Sequence, residues 1–167
     1  MSQFLRVEIV LLHNPADAIS WTDAENNDMF WKCSEALAFL SNWGVRIHYP
    51  TFRGDVSGVN RRSWLEACNV AHSLHRTPEH KTIFVCLRAE NWWREGLASG
   101  IGGDFALLSY RAQYGMLWSI FTAMVAHEFL HLIGATDQYE NPYDRNIMSD
   151  LSSQVLNVQT SREIGLR

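Results

Sequence analysis

The apolar positions change their spacing along the chain, and each spacing predicts a different element. Residues 7–12 (VEIVLL) form a short run rich in β-branched side chains, which predicts a buried strand. From Thr22 to Trp43 the apolar residues recur at helical spacing instead. Thr22 is placed to cap this helix and Gly44 to end it, so the chain is predicted to open with a strand and a long helix.

The middle of the chain predicts a second strand and helix and then a third strand. Residues 45–49 alternate in polarity like a strand that the following proline would stop, and residues 51–60 are predicted as loop. Over 60–78 the apolar residues return to helical spacing. The run KTIFVCLR at 81–88 then predicts a central strand.

The last part of the chain combines a loop, a strand and a long apolar helix. Residues 89–103, which carry Gly and Trp, are predicted as the loop, and 104–110 (DFALLSY) as the strand. An apolar stretch over 115–134 predicts the helix. A short C-terminal helix is also predicted, capped by Thr160 or Ser161.

This order of elements predicts the α/β (α+β) class, with a mixed twisted sheet of about four or five strands. Helices between successive strands imply parallel pairing of the first three strands. The strand at 104–110 follows without a crossover helix, so it is expected to run antiparallel at one edge. Such an edge can take up an extended peptide. The expected contact residues are Phe105, Ala106, Leu107 and Leu108.

Composition narrows the classes of protein. A hydrophobic content of 47% and a charged content of 19% over 167 residues are typical of one packed domain, so a single domain over 1–167 is predicted. The net charge of −4 disfavours a nucleic-acid partner. The stretch 115–134 is long enough to span a membrane, but its two His and one Glu favour a buried helix. A monomer without a membrane partner is expected.

Cysteine usage and the amino terminus bear on localisation. Cys33, Cys68 and Cys86 are odd in number and form no CxxC pair, which predicts buried free thiols. The first residues also lack the pattern of a signal peptide. Both features favour a cytoplasmic protein.

The sequence HEFLH places two imidazoles on one face near the end of the apolar helix. His127 and His131 are four residues apart, so their side chains lie one turn from each other. Two imidazoles at this spacing can bind one Zn²⁺. Glu128 lies about 100° further round the helix. From there it could accept a proton from water that the metal activates.

Gly134 and Asp137 extend the motif to HExxHxxGxxD. Gly134 can adopt a positive φ and end the helix in a sharp turn. The chain would then fold back, so that Asp137 could supply a third metal ligand and leave one position open. The five-residue motif alone is also compatible with two core histidines and an exposed glutamate. The added Gly and Asp favour a metal site, because burying these groups together without a cation is costly.

The extended motif resembles that of the metzincin clan of zinc metalloendopeptidases, in which HExxHxxGxx is followed by His or Asp and then by a Met-turn. The corresponding Met-turn is 146–150 (NIMSD), with Met148 as the methionine below the metal. An aspartate as third ligand is similar to the snapalysin-like branch of small bacterial neutral proteases. In that branch a Tyr follows the Asp two positions later, as Tyr139 does here.

The resemblance implies a zinc endopeptidase that hydrolyses a protein or peptide bound in extended conformation. It implies that His127, His131 and Asp137 hold the ion and that Glu128 acts as general base. It also implies a metzincin-like sheet with an antiparallel edge strand ahead of the active-site helix. The resembled family is usually secreted, in contrast to the cytoplasmic indication above.

The same resemblance divides the chain and leaves one role open. The sheet and its backing helix would form an upper part over 1–114, and the Met-turn would belong to a lower part over 135–167. Asp150 stands where many metzincins have a Tyr that can stabilise the transition state. Tyr139 and Tyr143 are the candidates for that role.

Two other functions remain open. A family of bacterial rRNA-maturation endoribonucleases has a similar His spacing, but it typically has Gly at the position of Glu128 and His at that of Asp137. The second is a catalytically silent, metal-stabilised domain that binds peptides. The intact Glu128 disfavours this function. The loop 137–146 is rich in oxygen ligands, so a Ca²⁺ site is a further possibility.

Overall fold

The computed structural model describes residues 4–13, 21–57, 73, 77–87, 96–110, 119–139, 146–151 and 153–166. Its strands are β1 (Val7–His13), β2 (Thr51–Ser57), β3 (Lys81–Leu87), β4 (Gly96–Ala98) and β5 (Phe105–Tyr110). Its helices are α1 (Asp23–Asn42), α2 (Ile120–Leu132) and α3 (Val158–Glu163). The predicted α/β class is confirmed. The helix predicted over 60–78 falls almost wholly outside the described residues.

The five strands form one sheet in the order β2-β1-β3-β5-β4. β1 pairs in parallel with β2 on one side and with β3 on the other. The parallel pairing predicted for the first three strands is therefore found, although the second strand lies at 51–57 and not at 45–49. β5 pairs in parallel with β3, and β4 pairs antiparallel with β5 at the edge.

The prediction that 104–110 forms the antiparallel edge strand was wrong. β5 has β3 on one side and β4 on the other, and the antiparallel edge strand is β4, inside the predicted loop. A run that is apolar at successive positions is typical of a parallel strand covered on both faces. The residues proposed as peptide contacts are accordingly buried, and their backbone has a strand on each side. They are Phe105, Ala106, Leu107 and Leu108.

The predicted strand at 45–49 was also wrong. Only an isolated bridge between Leu5 and Ile47 forms there, and the strand runs over 51–57, where loop was predicted. Pro50 precedes the first paired residue, so its missing N–H interrupts no ladder bond. β2 is the last strand on one side of the described sheet, and its Arg53 pairs with the Glu8 carboxylate of β1 at 3.1 Å.

Helix α1 begins as predicted at Thr22. The Thr22 hydroxyl accepts a hydrogen bond from the Glu25 N–H, and the Glu25 carboxylate accepts one from the Thr22 N–H, which together make a capping box. Gly44, just past the helix end, has a φ of +100°, which suits glycine. The helix packs its apolar face on α2 and on one face of the sheet.

The capping box yields a prediction on stability. Thr22→Ala should lower the free energy of unfolding by about 1 kcal/mol, because it leaves an N–H at the helix start without its partner. Urea denaturation measures this loss. Thr22→Ser keeps the hydroxyl and is the matched control, so an equal loss in that variant would contradict the capping explanation.

Helix α2 is the centre of the core. Every residue from Phe121 to Leu132 is buried. The helix begins at Ile120 with Ser119 as its cap, and residues 111–118 lie outside the described part of the chain. Within the described ranges, no helix is both long and apolar enough to cross a membrane. The C-terminal helix begins at Val158 with Asn157 as its cap, so the prediction of Thr160 or Ser161 for that role was wrong.

Candidate metal and catalytic site

The last turns of α2 bring together the three residues predicted as metal ligands. Gly134 takes a φ of +117° just past the helix end, and the chain turns back as expected. Asp137 then lies with one carboxylate oxygen 3.2 Å from the Nε2 atoms of both His127 and His131. The two Nε2 atoms are 3.1 Å apart. Among the residues that the structure describes, these three form the group that could hold a metal ion.

The hydrogen bonds of the two imidazoles fix their tautomers. The Nδ1 atom of His127 lies 2.9 Å from the Ile147 carbonyl, and that of His131 lies 2.8 Å from the Ala135 carbonyl. A carbonyl only accepts, so each Nδ1 carries a proton, and each ring in its neutral form presents the Nε2 lone pair. Burial lowers the pKa of His127, which keeps that ring neutral.

With both rings neutral, three hydrogen-bond acceptor atoms face one another. A cation among them removes the repulsion that this arrangement would otherwise create. Donor atoms on a tetrahedron with bonds of about 2.0–2.1 Å lie about 3.3–3.4 Å apart. The observed separations of 3.1–3.2 Å are close to that value. The residues thus fit a tetrahedral metal ion with one position left for another ligand.

The exposure of the three ligands is uneven. The side chains of His127 and His131 are almost fully buried, whereas that of Asp137 is 50% exposed. The site is therefore open to solvent on the side of the aspartate. A small molecule or an extended chain could reach it from that side.

Glu128 is buried beside this group on the same helix. Burial raises the pKa of its carboxyl group to about 7, and the Asp137 charge acts in the same direction. His131 and a hydrogen bond from the Ala98 backbone act in the opposite direction. The carboxyl group is thus positioned between the metal-binding group and strand β4, and it can exchange a proton near neutral pH.

The hydrogen-bond pattern of the hairpin explains the contact between Glu128 and Ala98. The Ser99 N–H donates to the Phe105 carbonyl at 2.8 Å. Backbone N–H groups alternate in direction along an antiparallel strand, so the Ala98 N–H points away from β5. The Gly102 N–H in turn donates to the His131 carbonyl at 2.8 Å. The β4–β5 hairpin is therefore tied to α2 at both Glu128 and His131.

Tyr139, one of the two candidate tyrosines, lies at the site. The Tyr139 hydroxyl lies 3.4 Å from His127 Nε2 and donates to the Asp137 carboxylate, and its ring stacks on that of His127. Burial, together with the Asp137 and Glu128 charges, raises the pKa of the hydroxyl, so Tyr139 keeps its proton. Tyr143 lies outside the described residues, as does most of the loop considered for Ca²⁺.

The predicted Met-turn contacts the His127 ring through its backbone. Met148 is fully buried, and its N–H donates to the Asn146 side chain at 2.9 Å. The Ile147 carbonyl next to it accepts the His127 Nδ1 proton. This turn therefore orients the first imidazole through its backbone.

A buried amide network next to Asp137 was not identified from the sequence. The Gln138 Oε1 atom accepts from the side-chain amides of Asn146 at 3.1 Å and Asn157 at 2.7 Å. The Gln138 Nε2 atom donates to the Thr160 hydroxyl at 2.8 Å. All three partners are distant in sequence, so no local motif could have indicated them.

Gly134 yields a second prediction on stability. A Cβ added at Gly134 would lie 2.8 Å from the Glu163 carbonyl oxygen. The backbone φ of +117° at this position is also one that L residues rarely adopt. Gly44 is the matched control, because it has a φ of +100° while its added Cβ meets only a Leu166 methyl at 3.7 Å. Gly44→Ala should cost about 1–2 kcal/mol in free energy of unfolding. Gly134→Ala should cost about 1–3 kcal/mol more, from the added clash.

Urea denaturation of the two glycine variants tests this difference. Equal losses in free energy of unfolding at the two positions would show that the close approach of the Glu163 carbonyl does not destabilise Gly134→Ala.

Comparison with known proteins places the fold. No protein-family model and no curated protein matches this sequence. A solved structure of metalloproteinase-II from Bacteroides fragilis matches 98% of this chain and 54% of that chain, at 19% identity and a TM-score of 0.56. A solved structure of a chaperone–substrate complex matches 90% of this chain and 29% of that chain, at 13% identity and a TM-score of 0.64.

These likenesses concern the fold. The chain spans about half the length of the first protein and less than a third of the second. Its fold is similar to that of a metalloproteinase, and it carries a His, His and Asp group that could bind a metal.

Proposed function

We propose that the chain is a zinc-dependent endopeptidase of the metzincin type, forming a single catalytic domain over 1–167. The observation that carries the proposal is the triangle of three acceptor atoms with a buried carboxyl group beside it. His127, His131 and Asp137 would hold the ion. Two imidazole nitrogens and one carboxylate oxygen, with one position left open, are typical ligands of catalytic zinc.

Glu128 is the proposed general base. When bound, the ion supplies Lewis acidity, which polarises the scissile carbonyl and makes water nucleophilic at neutral pH. Glu128 accepts the proton that the attacking water loses as its oxygen bonds to the carbonyl carbon. It then donates this proton to the amine nitrogen as the C–N bond breaks.

Strand β4 is the proposed substrate edge, in place of the originally predicted β5. It is the outermost strand of the sheet, and within the described residues β5 is the strand that pairs with it. An extended peptide could add to its outer side through backbone hydrogen bonds. The scissile bond would then lie beside Glu128, because Ala98 of β4 contacts that carboxyl group.

Tyr139 is the proposed donor to the developing oxyanion. Its hydroxyl keeps its proton and lies within 3.4 Å of the first imidazole. Preorganised donors of this kind stabilise negative charge as it forms in the transition state. Tyr139 would thus stabilise the transition state in place of the tyrosine that many metzincins have at the position of Asp150.

The test compares two substrates and two metal states of the purified protein. Casein and RNA are incubated with the protein as purified, after chelation, and after zinc is added back. We expect casein hydrolysis that is lost on chelation and restored by zinc. Cleavage of RNA would favour the endoribonuclease alternative, and bound zinc without turnover would favour a silent peptide-binding domain.

A pair of variants tests the metal ligand set in the same assay. Asp137→Ala should lose both zinc content and casein hydrolysis. Asp23→Ala, in the exposed first turn of α1, changes the charge equally and should retain both. Zinc content that is unchanged in Asp137→Ala would remove the aspartate from the proposed site.

A further inference from the structure

The third candidate ligand differs from the other two in how it is held. His127 and His131 project from the buried part of α2, and each ring is fixed by a backbone carbonyl. Asp137 lies in an irregular segment, and half of its side chain is exposed. Its position therefore depends on what holds the residues on either side of it.

The residue before Asp137 is bound to α3. The Thr136 N–H donates to one oxygen of the Glu163 carboxylate at 2.9 Å, and the Thr136 hydroxyl donates to the other at 2.7 Å. These bonds lower the pKa of Glu163, so the carboxylate remains charged at neutral pH. A two-point contact of this kind restricts both the position and the orientation of the segment.

The residue after Asp137 is bound to the same helix. The Gln138 side-chain amide donates to the Thr160 hydroxyl at 2.8 Å, and both side chains are buried. Thr160 and Glu163 are three residues apart, so they lie on one face of α3. The Gln138 N–H also donates to the Met148 carbonyl at 3.1 Å, which connects this anchor to the Met-turn.

We propose that α3 is the positioning element of the third metal ligand: Thr160 and Glu163 hold the two neighbours of Asp137 and so set the affinity of the site. The proposal rests on the metal-binding part of the proposed function and does not depend on peptide hydrolysis. Outer partners that orient ligands typically change metal affinity by about 10–100-fold when they are removed. The sequence motif ends at Asp137, whereas the site in this chain extends to residue 163.

The test measures zinc affinity by competition with a chelator, using the full chain. Thr160→Val removes the hydroxyl with little change in shape, and Thr160→Ser keeps it. Glu163→Ala removes the carboxylate, and Arg162→Ala is an exposed control on the same helix. We expect the zinc Kd to rise about 10–100-fold for Thr160→Val and for Glu163→Ala. It should stay within about two-fold of wild type for Thr160→Ser and Arg162→Ala.

A second measurement separates positioning from general stability. The visible absorption spectrum of the Co²⁺-substituted protein reports the coordination of the ion, and urea denaturation of the metal-free protein reports the fold. We expect the Co²⁺ spectrum of Thr160→Val to differ from that of the wild type. Urea denaturation should show that the metal-free variant is still folded under the conditions of that spectrum.

The outcomes are distinguishable. Unchanged affinity and spectrum in Thr160→Val and Glu163→Ala, with wild-type protein that binds zinc, would overturn the positioning role alone. Equal weakening by Arg162→Ala would also overturn it. Wild-type protein that binds no metal would overturn both this proposal and the metal site, whereas zinc binding without peptide hydrolysis would overturn only the peptidase.

Discussion

Replacing Glu128 with glutamine is expected to lower kcat/KM for peptide hydrolysis by roughly 10²–10⁴-fold, while the zinc content of the protein stays unchanged. The amide has nearly the same shape and can still accept the hydrogen bond from Ala98. It cannot take up a proton from water at neutral pH, so the proton transfer loses its acceptor. Activity is measured with a fluorogenic peptide, and zinc content by metal analysis.

The control for this variant is Glu35→Gln on α1, which removes one carboxylate that is not among the predicted site residues. It should retain full activity. Hydrolysis at the wild-type rate by Glu128→Gln would exclude the general-base role. A loss of zinc together with activity would instead indicate that Glu128 binds the ion.

Zinc is expected to raise the free energy of unfolding of the wild-type protein by about 4 kcal/mol when its free concentration is about 1,000 times the Kd. The folded state brings three ligands within 3.2 Å of one another, whereas the unfolded chain keeps them apart. His131→Ala should abolish this increment. Urea denaturation with and without chelator measures this zinc-dependent increase in the free energy of unfolding, for each protein relative to its own metal-free state.

His80→Ala is the matched control for the zinc increment. Its ring is bound to the Pro78 carbonyl at an exposed turn and is not one of the proposed ligands, so the increment should be the same as in wild type. An increment in His131→Ala as large as that of the wild type would mean that zinc binds elsewhere. A zinc increment lost in both variants would indicate binding through surface histidines.

At the helix ends and at the site, the features predicted correctly from sequence are encoded by neighbouring residues. Thr22 and Glu25 are three residues apart, and their capping box forms. The spacing of His127 and His131 determines that both rings lie on one face of α2, and Gly134 takes the positive φ that the turn requires. In each case the relevant physical interaction lies within about one helical turn.

Apart from the cap of α3, the incorrect predictions concern strands and their pairing between distant segments. The three-residue strand β4 is too short for an alternating pattern, so its antiparallel pairing with β5 depends on tertiary contacts. β5 was assigned to the edge because no crossover helix was recognised before it. The buried side chains of its residues 105–108 and its two strand neighbours show it to be an inner strand.

The partners of Gln138 illustrate the same limit at the site. An isolated glutamine after a metal-ligand motif predicts nothing by itself, because its amide can bond to any nearby polar group. Its role becomes visible only when Asn146, Asn157 and Thr160 are brought to it by the turn and by α3. Sequence therefore predicts candidate ligands better than it predicts the groups that hold them.

The use of backbone carbonyls to fix both imidazoles has an evolutionary consequence. Point mutations replace side chains but leave the main-chain oxygen in place, so Ile147 and Ala135 can drift among residues of similar volume without disturbing either ring. The support of the aspartate consists of hydroxyl, amide and carboxylate groups that one nucleotide change can delete. Under the proposed function, inherited loss of metal binding should therefore arise more often around the aspartate than around the histidines.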